Sequence, residues 1–451
     1  MANRLRERLI ARSVSGRFGL FIGLGGALAV AGLGLFLMSL GDHADRAWQL
    51  FHVNWIVFTG LTAGSLAITA VHKIAKAKWS GVIIRFSQAA VAFIPVSLVG
   101  FLLIYTVGYE HVYGHMLEVL PTLFHGKQVW LSHGFMFTRL GLGLLLLFGL
   151  GFALIRADLV PDLHAARGAV TGSRRALFER WSAGFDGSPE AVAANDAKIY
   201  RLAPLFALAY AIVMTMIAFD AIMALQPHWF SNLFGGWFFM GSFLGAHTLQ
   251  ALLMLYGARH LGIADLVSPK QRHDHGKMVF GMSVFWTYLM WAQFLVIWYG
   301  NLPEETGFVF SRLWGPWMPV GRWVFLGMFI IPFIGLLGAA AKKNPVTLGL
   351  FTAVSLFTLW VERYLMVMPS VTHEPGPVFG LPELGPTLAF IGLFLLAYGL
   401  FARTFPMVSP RLAEITLTLE RGHGHGHEFL HEEAIADYVP DVALERREKG
   451  R

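Results

Sequence analysis

Cysteine is absent from this chain of 451 residues, and charged residues are scarce. Without cysteine, the chain forms no disulfide, ligates no iron–sulfur cluster through thiolates and attaches no haem covalently. Asp, Glu, Lys and Arg make up 14% of the residues, against about 25% in an average soluble domain, while 55% are hydrophobic. A soluble protein of this length needs far more polar surface, so the composition predicts a polytopic membrane protein.

Ten apolar stretches are long enough to cross a bilayer, whose core of about 30 Å needs about 20 apolar residues per helix. They are uninterrupted and lack the alternation of a β-barrel, which indicates α-helices. The sequence therefore predicts an all-α protein with ten transmembrane helices, here called spans 1 to 10. These lie at residues 18–40, 48–71, 86–108, 129–155, 202–225, 233–256, 278–300, 323–341, 346–368 and 387–402.

The basic residues predict the orientation of the spans. If the N-terminus is cytoplasmic, the cytoplasmic segments hold 29 Lys and Arg and the opposite loops hold 4. This bias predicts cytoplasmic termini, and it explains the net charge of +7 without nucleic-acid binding. The predicted parts are a cytoplasmic segment 1–17, a membrane domain 18–405 with a long cytoplasmic loop 156–201, and a polar tail 406–451.

Two features at the termini have alternative interpretations. The first apolar run follows a basic leader, as in a signal peptide, but it is too long for a signal core and no small-residue cleavage site follows it. We therefore expect a retained span. The tail carries the motif His-Gly-His-Gly-His, which metals can bind, but its glycines make it flexible and no acidic or cysteine frame fixes a coordination geometry. A solvated tail without a metal is the expected state.

Two patterns recur along the chain and indicate a duplication. Spans 2 and 6 share Phe-x-Gly-x-x-x-Gly, and spans 5 and 9 share an acid seven residues before a proline. The residues are Phe58, Gly60 and Gly64 with Phe239, Gly241 and Gly245, and Asp220 and Pro227 with Glu362 and Pro369. The patterns predict tandem four-helix bundles, spans 2–5 and 6–9, flanked by spans 1 and 10. The alternative is coincidence, since small residues generally mediate packing between membrane helices.

Polar and charged residues inside the spans are the candidate functional residues, because a charge in hydrocarbon costs about 2.5–3.5 kcal/mol on insertion scales. Nearly all lie in the predicted outer half of the membrane. An apolar slot with a few polar groups suits a quinone head group or a proton path. The candidates are His52, His133, Arg139, Asp220, His247, Glu362 and Arg363.

Other roles are open for these residues. Arg139 and Asp220 can simply neutralise each other. Glu362 and Arg363 are adjacent and diverge by about 100° on a helix, so we expect each to find its partner on another helix rather than locally. His52 and His133 can be interfacial, or they can be axial ligands of a b-type haem if they face each other at one depth.

With these features, the sequence resembles the NrfD family, also called the polysulfide-reductase membrane-subunit family. The resemblance covers roughly residues 15–405. Within the family, the chain is similar to the second NrfD-like subunits of alternative complex III, a bacterial quinol:cytochrome c oxidoreductase. The residues that carry the resemblance are Phe219-Asp220-Ala221-Ile222-Met223, Trp298-Tyr299-Gly300-Asn301-Leu302-Pro303-Glu304-Glu305 and Glu362-Arg363-Tyr364.

The resemblance implies a non-redox-centre subunit in the bacterial inner membrane, without a catalytic residue, metal or covalently bound cofactor of its own. Its implied partners are a homologous NrfD-like subunit, an extracytoplasmic Fe–S subunit and c-type cytochromes, which carry the Fe–S clusters and haem c. Quinol, for instance menaquinol, is the implied electron donor, with contact here or in the homologue, and proton translocation is an implied role. A secondary transporter or channel is the alternative, although transporters more often place charges at the midplane beside broken helices.

Overall fold

The computed structural model describes residues 2–15 and 18–424. This part of the chain contains helices and no strands, and ten of the helices are long and apolar enough to cross a membrane. The predicted all-α fold with ten spans is therefore confirmed. Spans 1 to 10 are Gly19–Asp42, Ala44–Ile74, Ile84–Thr106, His133–Ala166, Pro189–Ala221, Phe234–His260, Pro269–Gly300, Gly315–Gly335, Pro345–Val371 and Leu381–Thr404.

Shorter helices connect the spans and precede or follow them. They are Ala2–Val14, Tyr109–Val119, His125–Trp130, Gly172–Trp181, Pro303–Leu313, Ala339–Lys343 and Pro410–Gly424.

Several spans begin well before their apolar runs. Span 5 begins at Pro189, where the Ser188 hydroxyl accepts a hydrogen bond from the Ala191 amide at 3.2 Å. Span 7 begins at Pro269, with Ser268 capping the amide of Gln271 at 3.0 Å. A serine cap followed by proline is a strong helix start, because the serine hydroxyl accepts from a free amide of the first turn and proline has no N–H to leave unsatisfied. The polar first turns of these helices project beyond the apolar core.

Spans 2 and 6 form the centre of the molecule and pack against each other. Every residue of span 2 from Ala47 to Ala70 is buried. Span 2 also packs on spans 5 and 9, and span 6 packs on the same two helices. Exchanging span 2 for 6 and span 5 for 9 thus preserves the contacts, as duplicated bundles require. Span 1 lies along span 10, which in turn packs on span 2.

The repeated glycines allow the close approach of the central helices. A Cβ atom on Gly64 of span 2 would lie 2.6 Å from the carbonyl oxygen of Ser242 in span 6. A Cβ on Gly245 of span 6 would lie 2.2 Å from Leu359 of span 9 and 3.0 Å from Leu61 of span 2. The distances of 2.6 and 2.2 Å are shorter than real Cβ contacts, so the motif serves packing between spans 2, 6 and 9.

The connections divide the domain into two faces. We call the face with residues 75–83, 170–188, 261–268, 336–344 and both described termini the terminal face, and the face with residues 107–132, 226–233, 301–314 and 372–380 the loop face. The orientation predicted from basic residues makes the terminal face cytoplasmic. Part of the predicted tail packs on this face, since the Thr416 hydroxyl accepts a hydrogen bond from the Gly81 amide at 3.0 Å. The remaining tail histidines, His425, His427 and His431, lie outside the described residues.

Candidate functional site

Arg139 of span 4 and Asp220 of span 5 form a bidentate ion pair in the first bundle. Arg139 Nε donates to Asp220 Oδ2 at 2.8 Å, and Nη2 donates to Oδ1 at 2.7 Å. The Arg139 guanidinium also lies 3.8 Å from the ring centre of Trp130 and donates to its carbonyl oxygen. Of the roles left open for these two residues, the structure forms the one in which the charges neutralise each other. Because both carboxylate oxygens accept from Arg139, this acid has a structural role in the arrangement observed.

His52 and His133 lie near the same pair but do not meet. His52 Nε2 donates to the Ala221 carbonyl at 2.7 Å, and His133 Nε2 donates to the Tyr105 carbonyl at 2.7 Å. Tyr109 and Tyr113 stack between them, with Tyr109 4.0 Å from the His133 ring and Tyr113 5.8 Å from the His52 ring. Two facing axial ligands are therefore not formed, and the haem alternative has no geometric support.

The tyrosines extend this polar cluster from the loop face. Tyr113 donates to the Asp220 carbonyl at 3.0 Å, and its hydroxyl shares a hydrogen bond of 2.7 Å with Tyr105. Tyr109 and Tyr113 belong to the helix between spans 3 and 4. Burial raises the pKa of Tyr109 to about 12 and that of Tyr113 above its usual value, so both phenols keep their protons at neutral pH.

Glu362 and Arg363 form a local pair in the second bundle, contrary to the sequence-based expectation. Arg363 Nη1 lies 2.8 Å from Glu362 Oε2, although the residues are adjacent on span 9. The expectation compared only the directions in which the side chains leave the helix, and a long guanidinium can fold back. Arg363 also has partners on span 6, as expected, because Nη2 donates to the Phe238 carbonyl at 2.8 Å and to Ser242 Oγ at 3.2 Å.

Glu362 lines an apolar cavity of about 330 Å³ between spans 7, 8 and 9 and the helix Pro303–Leu313. Its side chain is 1% exposed, and neither carboxylate oxygen accepts a well-formed hydrogen bond. The cavity is therefore an apolar slot with an acid at its wall. Its volume is near the lower end of small-molecule sites, which run from about 300 to 1,000 Å³.

Arg312 lines the same cavity and was missed by the sequence analysis, which assigned it to a loop. Its Nη2 donates to the Met366 carbonyl and to Ser370 Oγ, both at 2.6 Å, and its guanidinium lies 3.4 Å from the ring centre of Phe308. Within residues 18–424 it has no carboxylate partner. Burial lowers the pKa of Arg312, since charge is costly in this setting.

Three further polar groups surround the cavity. Gln293 accepts a hydrogen bond from Ser231 Oγ at 2.8 Å through Oε1, the indole N–H group of Trp237 has no acceptor among the described residues, and the indole N–H group of Trp286 lies beside Glu362 without a well-formed hydrogen bond. Trp237 and Gln293 line the cavity directly. A quinone head group needs donors for its carbonyls and an acceptor for its hydroxyl protons. Indole, guanidinium and carboxylate groups supply both, so the residues present fit such a head group.

His247 is fully buried in the middle of span 6 and lies beside a histidine that the sequence analysis missed. His275 Nε2 donates to the His247 carbonyl at 2.9 Å, and the two rings are 5.4 Å apart. His72 is a third buried histidine on this side, bonded to Ser80 Oγ at 3.0 Å. His72 and His275 lie just outside the apolar runs, and only the longer helices bring them into the interior. Both ring nitrogens of His247 lack a partner among the described residues.

A second missed feature is a buried ionic network near the terminal face. Arg85 is bonded to Asp162 and lies 3.7 Å from Asp158, and Lys73 is bonded to Asp158. Gln88 Nε2 donates to the other Asp158 oxygen at 2.8 Å. The predicted bounds place Lys73, Arg85, Asp158 and Asp162 in the cytoplasmic segments between spans. The expected preference of buried charges for the outer half is therefore only partly right.

The fold and these sites define the class of the protein as an all-α, multi-pass membrane protein with buried ionisable groups. No protein-family model matches the chain, and a comparison with curated proteins found no significant match. Among the described residues, no group of three or more His, Asp or Glu side chains is arranged to hold a metal ion.

Proposed function

We propose that this chain is a membrane subunit of a quinol:electron-acceptor oxidoreductase complex of the NrfD type. In this role it takes part in quinol-linked electron transfer and in proton translocation. The Fe–S clusters and c-type haems belong to partner subunits, and a homologous NrfD-like subunit lies beside it. The resemblance over spans 1 to 10 suggests this assembly, and the two paired acids in equivalent positions are consistent with it.

One observation carries the proposal, namely the cavity lined by Glu362 and Arg312. It combines an apolar interior with an acid that has no well-formed hydrogen bond and an arginine that lacks a carboxylate. Trp291 and Phe325, on its wall, are 51% and 38% exposed on the membrane-facing surface, which gives an apolar molecule a route from the lipid. A soluble polar substrate would not need such a route.

The position of the cavity also suits the proposed reaction. It lies against the helix Pro303–Leu313 on the loop face, which the orientation makes extracytoplasmic. Quinol oxidised there would release electrons close to an extracytoplasmic Fe–S partner. Glu362 is placed to accept a proton from the quinol hydroxyl group. The adjacent Arg363 stabilises the carboxylate before the transfer, and it favours release of the proton from Glu362 afterwards.

Purification tests the assembly. The tagged chain, extracted from its native membrane in mild detergent, should copurify with multihaem c-type cytochrome and Fe–S polypeptides and should support quinol-dependent reduction of cytochrome c. A transporter or channel would be isolated alone and would move solute in proteoliposomes. Isolation of a homogeneous, active carrier without haem would overturn the proposal.

Substitutions in the cavity test the site. Val324 lines the cavity and is 5% exposed, so Val324→Phe should fill the cavity without changing a charge and should raise the KM for quinol. Ile334→Phe is the matched control, because Ile334 lies on the same span and is 68% exposed. Equal kinetics in the two variants, with complexes assembled to the same extent, would remove the cavity from the proposed function.

A further inference from the structure

A second cavity, of about 610 Å³, lies on the opposite side of the molecule, near the terminal face. Spans 3, 4 and 10 form its walls, and the helix Gly172–Trp181 closes one end with Trp181. Along span 4 its lining extends from Leu145 to Leu159, which is about 21 Å at 1.5 Å per residue. Half of the hydrocarbon core of a bilayer is about 15 Å. The groove is therefore long enough to hold an acyl chain across one leaflet.

The interior of this groove is apolar, and no acidic residue lines it. Phe148, Phe152 and Leu400 are among the side chains on its walls. A Cβ atom on Gly149 would meet no atom within 4 Å, so open space lies directly above this residue. Such a groove between spans accommodates an acyl chain.

Three arginines surround the terminal-face end of the groove. Arg156 lines it and lies 5.9 Å from the Trp181 ring centre. Arg174 donates to the carbonyls of Thr404 and Val14, both at 3.2 Å, while its Nη2 is buried without a partner. Arg403 precedes Thr404 and is exposed.

These positive charges are not compensated within the described chain. Neither Arg156 nor Arg403 has a carboxylate partner among residues 18–424, whereas neighbouring Arg175 is paired with Glu179 at 2.8 Å. Burial lowers the pKa of Arg174, and repulsion by the nearby Arg403 guanidinium lowers it further. An anionic group placed between them would relieve this repulsion and would satisfy the free Nη2.

We propose that this groove binds one anionic phospholipid, with an acyl chain between spans 3, 4 and 10 and its phosphate between Arg156, Arg174 and Arg403. Basic pockets between membrane helices are known to bind anionic head groups in this way. The bound lipid would stabilise the packing of span 10 and the helix Gly172–Trp181 against the first bundle. This site is remote from Glu362 and does not depend on the proposed electron-transfer role.

Native mass spectrometry of the purified full-length chain in its complex tests the proposal. The sample is equilibrated with detergent micelles that contain equal amounts of phosphatidylglycerol and phosphatidylcholine. We expect one retained phosphatidylglycerol and at least a tenfold preference over phosphatidylcholine, since each 1.4 kcal/mol of added interaction is a factor of ten. The Arg156→Gln, Arg403→Gln double variant should lose this preference. Arg175→Gln is the control, because Arg175 lies on the same helix as Arg174 and has its own partner.

A second variant keeps the test independent of the arginines. Gly149→Phe places a ring in the groove and should expel the retained lipid of either type, while Gly23→Phe, at a site on span 1 that is equally open, should not. The deacylated head group, glycerophosphoglycerol, should fail to compete at millimolar concentration, because the groove contributes to the affinity by binding the acyl chain. Equal lipid retention in all variants, or full competition by the deacylated head group, would overturn the proposal.

Discussion

Arg139 and Asp220, which come from different spans, are joined by two parallel hydrogen bonds of 2.7 and 2.8 Å. Breaking a buried pair from one side leaves the other charge unpaired and costs about 3–5 kcal/mol. We therefore expect Asp220→Asn to reduce the yield of assembled complex strongly and to leave turnover per assembled complex nearly unchanged. Yield is measured by haem content after purification, and turnover is normalised to the same quantity.

The double variant Asp220→Asn, Arg139→Gln is the matched test of this assignment. It removes both charges, so it should recover part of the yield that the single variant loses. If the single variant assembles normally but turns over slowly, then Asp220 carries protons and the pair is more than structural.

Glu362 differs from Asp220 because its carboxylate faces a cavity and has only the adjacent Arg363 as an ion-pair partner, without a well-formed hydrogen bond. Glu362→Gln keeps the shape and removes the titrating group. We expect a loss of quinol-dependent turnover on the order of 10²-fold, the usual contribution of a general base, with assembly retained. Steady-state kinetics with a soluble quinol analogue and proton release in proteoliposomes are the measurements.

Glu383→Gln is the control for this prediction. Glu383 is also a buried acid near the loop face, and it accepts a hydrogen bond from Arg46 at 2.7 Å, but it does not line the cavity. The two variants should differ in turnover per complex. If both variants lower the yield of assembled complex without changing turnover per complex, Glu362 has a structural role and the proposed proton role is wrong.

The glycine motif of span 2 gives a prediction about stability. Leucine at Gly64 would meet the Ser242 carbonyl oxygen and the Ala246 side chain, since even a Cβ would lie at 2.6 and 3.0 Å. Spans 2 and 6 would have to separate, and overpacking of this kind costs at least about 1–3 kcal/mol. We expect a lower midpoint of thermal denaturation in detergent. Gly26→Leu, where no atom lies within 4 Å, should change the midpoint little.

The sequence predicts the ten spans because the length of an apolar run depends on the bilayer and hardly on tertiary contacts. It also raises the Arg139–Asp220 pair as one alternative, since two opposite charges at a similar depth in hydrocarbon stabilise each other. It does not predict the positions of His72 and His275. Those depend on helices that continue past the apolar run into buried surroundings, as in span 7, where Ser268 and Pro269 set the start.

The cavity at Glu362 could not be predicted for a different reason. Its wall includes the helix Pro303–Leu313, a connection whose packing against spans 8 and 9 buries Arg312. No periodicity in the sequence specifies that contact. The Glu362–Arg363 pair was missed because direction along a helix was treated as decisive, although the guanidinium reaches back over its own helix.

The hydrogen bonds of His52 and His133 give a spectroscopic prediction. Each donates through Nε2 to a backbone carbonyl, so neither offers that nitrogen to iron in this arrangement. The isolated subunit, separated from its partners, should show no Soret band and no iron by elemental analysis. A stoichiometric b-type spectrum that disappears in His52→Ala would replace this assignment with a cytochrome b.

The orientation rests on the bias of 29 basic residues against 4, and reporter fusions test it directly. Arg180 lies on the helix Gly172–Trp181, and Arg421 lies on the helix that follows span 10, so both positions belong to the terminal face. Fusions after either residue should give an active cytoplasmic reporter and an inactive periplasmic one. A fusion after Glu305, on the loop face, is the control and should give the opposite result.

Because ten spans return the chain to its starting side, periplasmic activity after Arg180 or Arg421 would require either an inverted domain or a different number of spans. An inverted domain would also move the Glu362 cavity to the cytoplasmic side and away from an extracytoplasmic electron acceptor.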